Sequence, residues 1–307
     1  MKFENKVIVV LGPTAVGKTK FAINLASKFS GEIISADSRQ VYIGMDIGSG
    51  KDLNEYYIND QKIQTHLIDI IKPNCEFNLY LFQKLFYIAQ QEISSRNNLP
   101  FLVGGTGLYL SSVIQKYSLP IINFNSERAS KLETHSADEL IAILKDLNPH
   151  LHNTTDLKDK ERIIRAILIA EENEQNELTG EKLQFLVIGI KEDRELLKRK
   201  IRERLKIRLN SGMIDEVEKL LSQGVTHDKL RFFGLEYKFV SLYLSGELNY
   251  NDMYQKLASS ISQFAKRQMT WFRKMEKEGT QINWLLSSEI DKAENLISEF
   301  TQNSHFS

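Results

Sequence analysis

Apolar positions in the first 120 residues come in short runs separated by glycine and polar clusters. The run at 7–11, Val-Ile-Val-Val-Leu, ends in Gly12 and reads as a strand buried on both faces. Phe21, Leu25 and Phe29 then recur at helical spacing within 18–29. Residues 33–36 predict a second strand and 67–70 a third. Over 79–93, Leu79, Phe82, Phe86 and Ile93 fall on one side of a helix. A strand at 100–103 closes on Gly104-Gly105, and 108–114 begins another helix. Strands alternating with helices predict an α/β fold, a parallel sheet with helices on both faces.

Past Pro120 the pattern changes. Residues 136–147 and 162–172 are helical in period, with a polar connection between them, and the next buried-strand run is 185–190. Residues 120–182 are therefore expected to be a helical insertion into a core made of 1–119 and 183–307. Beyond Ile190 the periodicity is helical over 193–209, 213–223, 234–245 and 251–276. No fixed-period repeat or low-complexity tract interrupts it.

Composition narrows the function classes. Hydrophobic residues make up 42% of 307, enough for a substantial core. A single cysteine, Cys75, excludes an intramolecular disulfide, and without a Cys/His cluster a structural zinc site is not expected. No apolar run approaches the roughly 18–20 residues that cross a bilayer. The expectation is a soluble, cytoplasmic protein with no membrane partner, acting as a monomer. The 40 basic and 40 acidic residues cancel, but unevenly. Residues 190–280 hold 19 basic and 13 acidic groups, whereas 121–189 hold 8 and 13. A whole-chain charge of zero thus hides a basic segment, either a solvated helix face or an anion-binding one.

The sharpest chemical signal follows the first strand. Gly12-Pro13-Thr14-Ala15-Val16-Gly17-Lys18-Thr19 fits G-x-x-x-x-G-K-[ST], between a predicted strand and a predicted helix. Such a loop wraps backbone N–H groups and a helix N-terminus around phosphates. Lys18 adds a full charge, and the Thr19 hydroxyl is placed to ligate Mg²⁺. Asp37 ends the second strand, at the rim where ligands of doubly wound sheets sit, as a helix N-cap or as a proton acceptor. Gly104-Gly105-Thr106-Gly107 should border the same site. Gly48-Ser49-Gly50-Lys51 reads equally as an anion-contacting loop or an exposed turn. In 193–209, Lys200, Arg204 and Arg208 form a row beside an apolar stripe, with Arg204 suited to clamp a diphosphate. Residues 264–274 mix four cations with aromatics, a pattern able to meet RNA phosphates and bases. Taken singly, Phe264, Trp271 and Phe272 are expected in the core.

Together, GPTAVGKT (12–19), ADSRQVY (36–42), GMDIG (44–48), HLIDI (66–70), LVGGTGLYL (102–110), RIIRA (162–166) and AKRQMTWFR (265–273) resemble the tRNA dimethylallyltransferase, or IPP transferase, family. The resemblance implies a P-loop NTPase-like three-layer core whose helical insertion domain helps grip a tRNA anticodon stem-loop. It implies transfer of a dimethylallyl group from dimethylallyl diphosphate, with Mg²⁺, to N6 of the adenosine immediately 3′ of the anticodon. By resemblance, residues 12–19 bind the diphosphate, and Asp37, Thr106 and Arg204 are catalytic. The tRNA would be met by Asp37, Ser38, Arg39, Gln40 and Thr106 at the base. Arg128, Arg162 and Arg165 of the insertion, Arg231 with the run 231–236, and Lys266, Arg267, Gln268, Trp271 and Arg273 would meet it elsewhere. The sequence departs from the family pattern in places. Gly-Tyr-Lys-Glu becomes Gly234-Leu235-Glu236-Tyr237, Ile-Gly-Thr-Ala-Lys becomes residues 47–51, and Arg-Ala-Leu-Glu becomes residues 165–168. A small-molecule kinase, a prenyltransferase of free adenine nucleotides and a nucleotide-driven RNA-binding switch are the alternatives.

Overall fold

The computed structural model describes residues 3, 5–58, 60–119, 126–147, 160–171 and 183–302, without the side chains of residues 161 and 162. The chain divides into two compact units, Met1–Lys116 with Glu181–Ser307, and Tyr117–Gly180.

The first half of the larger unit contains β1 (Lys6–Leu11), α1 (Lys18–Lys28), β2 (Gly31–Ala36), a small antiparallel pair β3 (Tyr57–Ile58) and β4 (Gln61–Lys62), β5 (Thr65–His66), α2 (Leu79–Ser95), β6 (Leu99–Gly104) and α3 (Gly107–Ile114). The smaller unit contains α4 (Glu127–Glu133), α5 (Ala137–Leu147) and α6 (Lys160–Glu171). The chain then returns through β7 (Gln184–Lys191), α7 (Arg194–Asn210), α8 (Met213–Ser222), α9 (His227–Phe232), α10 (Leu235–Leu244), α11 (Tyr250–Lys277), β8 (Ile282–Leu286) and α12 (Ile290–Gln302).

Six strands form one sheet in the order β5-β2-β6-β1-β7-β8, and every pairing within it is parallel. β1 lies inside it between β6 and β7, so both its edges are paired. The alternation of side chains along a strand divides it cleanly. Ile8 and Val10 join a core with Phe21, Ile23 and Leu25 of α1 and Ile297 of α12. Val7, Val9 and Leu11 join the opposite core, with Phe82 and Phe86 of α2, Leu110 of α3 and Phe272 of α11. Each such full burial stabilises the fold by about 1.5–3 kcal/mol. A third core gathers α7 to α11 around Val41, Tyr42 and Met45. The smaller unit has its own core, in which Leu132, Leu140, Leu144, Ile163 and Ile167 meet.

Several elements differ from the sequence expectations. The third strand is Thr65–His66 rather than 67–70, because Leu67 and Asp69 turn to positive φ (61° and 55°), which ends extended pairing. The helix expected over 234–245 is α10, and the short α9 before it was not anticipated; Gly234 at φ 125° separates the two. The strand β8 and the helix α12 were not anticipated. β8 is an edge strand with three half-buried residues, so its apolar signal is short.

At the end of the sheet away from the phosphate loop, Glu32 is 3% exposed. It accepts hydrogen bonds from Arg96 (2.8 and 3.0 Å) and Asn98 (2.7 Å) and lies 2.7 Å from His66. Burial alone would push its carboxyl pKa up, but the hydrogen bonds from Arg96, Asn98 and His66 outweigh it and hold the group at about 2.

Candidate active site

The carboxyl ends of β1, β2 and β6 open onto a cavity of about 590 Å³ lined, among the described residues, by the larger unit. The loop between β1 and α1 forms its floor. Gly12 is there because a Cβ would lie 2.5 Å from the Ile190 carbonyl oxygen. Gly17 is there because φ 91° at the start of α1 is left-handed. Ala15 adopts φ 65°, a conformation unusual for a residue with a Cβ. Thr14, Ala15, Gly17, Lys18 and Thr19 line the cavity. Val16 instead points its side chain into the core. Gly12 and Pro13 shape the loop from behind, the Pro13 carbonyl accepting a 2.8 Å bond from Lys18 Nζ.

Two cations converge on this floor. Arg204 of α7 donates from Nη2 to the Thr14 hydroxyl. Burial and the neighbouring Arg204 charge push the Lys18 pKa down to about 7, against an upward pull from Asp37. Burial and Arg208 lower Arg204 to about 10, against Glu236, Asp52 and Glu55. Two positive groups forced together without an anion make a site that favours a multivalent anion.

Asp37 stands beside them on the cavity wall. No helix follows it, so the N-cap reading is replaced by a turn in which Oδ1 accepts the Arg39 N–H at 2.9 Å. Oδ2 has no hydrogen bond among the described residues. The Thr106 hydroxyl accepts the Ser38 N–H at 3.3 Å, tying β6's end to β2's. Gln40 is buried and spent: its amide accepts from Ser35 Oγ (2.8 Å) and donates to the Gly50 carbonyl (3.0 Å). Thr106, Ser38 and Arg39 line the cavity.

The long helix α11 closes one side. Gln268 accepts from the Thr14 N–H (2.8 Å) and donates to the Gly105 carbonyl (2.9 Å), clamping the phosphate loop to the loop after β6. Both ends of its amide are thus engaged, a structural role the RNA-contact expectation did not include. Trp271 donates to Ser111 Oγ (2.9 Å) and lies so close to Gly107 that a Cβ there would meet the indole at 2.3 Å. Phe264 corrects the core expectation: it is exposed, lines the cavity, and has the Arg267 guanidinium 5.8 Å from its ring. Phe272 is fully buried.

The loop 46–52 forms another wall, and its two open readings both give way. The Glu216 carboxylate accepts the N–H groups of Asp46 (2.9 Å), Ile47 (2.7 Å) and Gly48 (3.0 Å). Tyr237 donates to Glu216 (2.8 Å) and accepts from the Ser49 N–H (3.1 Å). Lys51 is fully buried on Asp46, Asp69 and the Tyr42 carbonyl. The anion held by these amides is therefore the protein's own, and Lys51 faces inward.

Arg208, Glu236, Asp52 and Glu55 are cavity residues that sequence reasoning missed or left unplaced. Arg208 is buried between Asp52 (3.4 Å) and Glu236 (3.8 Å), rather than free on a helix face. Burial pushes the Glu236 pKa up while Arg208 pulls it down. The i, i+4 spacing of Arg204 and Arg208 was the available signal; their acidic partners came from remote segments, the turn at 52–55 and the first turn of α10.

The remaining expected residues lie elsewhere. Arg231 of α9 pairs with Glu247, and Lys266 and Arg273 are exposed on α11 outside the cavity lining. In the smaller unit, Arg128 of α4 pairs with Glu171 of α6, and Arg165 is half-buried on α6. The Arg162 side chain lies outside the described residues.

Comparison with known proteins gives concordant matches. The family model described as IPP transferase matches residues 40–275, and one described as isopentenyl transferase matches residues 5–69. A tRNA dimethylallyltransferase 1 from Geotalea uraniireducens is 51% identical over 280 residues, covering 91% of this chain and 92% of that protein. A tRNA isopentenylpyrophosphate transferase from Bacillus halodurans, solved by crystallography, is similar at a TM-score of 0.71 and 31% identity, covering 97% of both chains. A eukaryotic dimethylallyltransferase caught acting on tRNA shares the fold, with a TM-score of 0.76 at 23% identity, over 96% of this chain and 77% of that one.

Proposed function

The chain belongs to the IPP transferase family, and from that premise we propose that the cavity transfers a dimethylallyl group from dimethylallyl diphosphate to tRNA. The acceptor is N6 of the adenosine immediately 3′ of the anticodon, and the products are N6-isopentenyladenosine and diphosphate. The observation that carries this reading is the juxtaposition of Lys18 and Arg204 on the phosphate loop with the Asp37 carboxylate on the same cavity wall.

In the reaction, the N6 nitrogen forms a bond to the allylic carbon while the carbon–oxygen bond to diphosphate breaks. Negative charge grows on the leaving oxygen, where Lys18, Arg204 and the loop amides are already fixed to meet it. Asp37 Oδ2 takes the proton that N6 loses. The target adenine must leave the stacked loop to reach this depth. Thr106 holds the Ser38 backbone, and so the turn that carries Asp37, in place.

The donor set suits Mg²⁺. A hydroxyl from Thr19 and the nearby Asp37 carboxylate border the cavity, and Mg²⁺ characteristically takes few protein ligands and completes its shell with phosphate oxygens and water. Thr19 would hold it, and the ion would neutralise charge on the diphosphate. A lone cysteine suits the reducing cytoplasm. No helix among the described residues is long and apolar enough to cross a membrane.

Incubating the protein with dimethylallyl diphosphate, Mg²⁺ and an anticodon stem-loop, then analysing nucleosides by mass, tests the proposal. Prenylated adenosine is the expected product. ATP-dependent phosphorylation of a small molecule, with no prenylated nucleoside, would favour a kinase instead.

A further inference from the structure

Phe232, the last residue of α9, is 62% exposed, whereas Phe233 beside it is fully buried, packs against Tyr42 at 4.8 Å and lines the cavity. An exposed phenyl ring forgoes the stabilisation of burial, so core packing does not account for it. The Arg39 guanidinium lies 5.5 Å from the centre of that ring. Arg39 itself lines the cavity and forms no ion pair among the described residues. Gly234 sits beside it at φ 125°, where a Cβ would stand at ordinary contact distance, 3.5 Å, from Arg39 Nε. One edge of the cavity thus carries an exposed aromatic ring and, 5.5 Å from its centre, a planar cation with no carboxylate partner among the described residues.

We propose that Phe232 and Arg39 form a stacking platform for the unpaired RNA base that flanks the target adenosine. The inference rests on the tRNA reading above. Pulling one adenosine out of a stacked loop leaves its neighbour with an uncovered face. An aromatic ring accepts any base by its π-face, and a guanidinium both stacks on the base and attracts the adjoining phosphate. Free cation and free ring at the same edge match what an extruded loop presents. The second Phe–Arg stack, Phe264 with Arg267, differs because Phe264 lines the cavity itself and is positioned to meet the prenyl group or the target base.

The test uses the full chain and a stem-loop with 2-aminopurine at the position 3′ or 5′ of the target. Binding to the unsubstituted protein should quench one of these probes by stacking. Phe232→Ala should abolish that quenching and raise KM for the stem-loop about 5- to 100-fold, with KM for dimethylallyl diphosphate unchanged. Phe232→Trp should restore both. Equal quenching and equal KM in Phe232→Ala would overturn the platform, as would a parallel loss for both substrates, which would mark Phe232 as a packing residue. Quenching is read without turnover. A protein that binds and quenches through Phe232 but transfers nothing would therefore sink the proposed reaction and leave the platform standing.

Discussion

Binding of a prenyl diphosphate above neutral pH should draw one proton out of solution, and Lys18 is the group that takes it. In the ligand-free protein this ammonium titrates at about 7, because burial and Arg204 disfavour its charge. A diphosphate placed between Lys18 and Arg204 reverses both causes: it offsets the repulsion and supplies a counter-charge. The pKa of Lys18 in the complex must then rise, and linkage requires proton uptake wherever the free group is neutral and the bound group charged. The sign follows directly. Below pH 7 the ammonium is already charged and uptake vanishes. Above pH 7 the affinity falls, by up to tenfold per pH unit, or about 1.4 kcal/mol. Between pH 7 and 9 the total loss reaches roughly 50-fold if the bound pKa lies well above 9.

Calorimetry with a non-reactive thiodiphosphate analogue and Mg²⁺ measures this. Titrations at pH 8 in two buffers of different ionisation enthalpy count the protons, and the expected number is close to one. Arg204, lowered to about 10, stays charged across the window and contributes little. Lys18→Arg keeps a permanent charge and should abolish the uptake while keeping most of the binding. No uptake at pH 8 in the unsubstituted protein, or an affinity flat from pH 7.5 to 9, would refute the reasoning.

Three further outcomes follow from the geometry. Asp37→Asn keeps the Asx turn and the diphosphate floor but removes the proton acceptor, so donor binding should persist while kcat falls by about 10²–10⁴-fold; full activity would remove Asp37 from the chemistry. Gln268→Ala releases the clamp between Thr14 and Gly105, and KM for the diphosphate should rise more than KM for the stem-loop; an unchanged diphosphate KM would show that the loop holds its shape unaided. Glu32, held at about 2 against an ordinary 4.5, stabilises the fold by about 3 kcal/mol above pH 4.5, and this is lost as pH falls towards 2. Glu32→Gln should flatten the acid-unfolding curve across that window, and an unaltered curve would discount the Arg96–Asn98–His66 cluster.

Much of the sheet was legible because its strands are buried on both faces and therefore written as continuous apolar runs. β1, β2, β6 and β7 all carry that signature. β8 did not, since an edge strand buries less and its residues alternate weakly. The phosphate loop was legible because its defining residues fall in one unbroken run of eight. The walls were not. Glu216 reaches back 168 to 170 positions to hold the amides of 46–48, and Gln268 reaches 254 positions to the Thr14 amide. Neither bond leaves a local period. An anion does sit against the amides of 46–48, but it is the protein's own Glu216 carboxylate, and nothing in Gly48-Ser49-Gly50-Lys51 announces that partner.

The same distinction explains why a neutral chain can serve an anionic substrate. Many cations on the helices of the basic segment are answered locally: Lys198 by Glu195, Arg199 by Glu203, Lys200 by Glu192, Arg231 by Glu247 and Lys274 by Glu278. Even Arg208, inside the cavity, is matched by Asp52 and Glu236. Lys18, Arg39, Arg204 and Arg267 border the cavity and have no such partner among the described residues. Exposed pairs contribute little to stability and largely cancel each other's field, so the field that a ligand meets comes from the unanswered charges. Function here depends on which cations lack a carboxylate, and a whole-chain sum cannot register that.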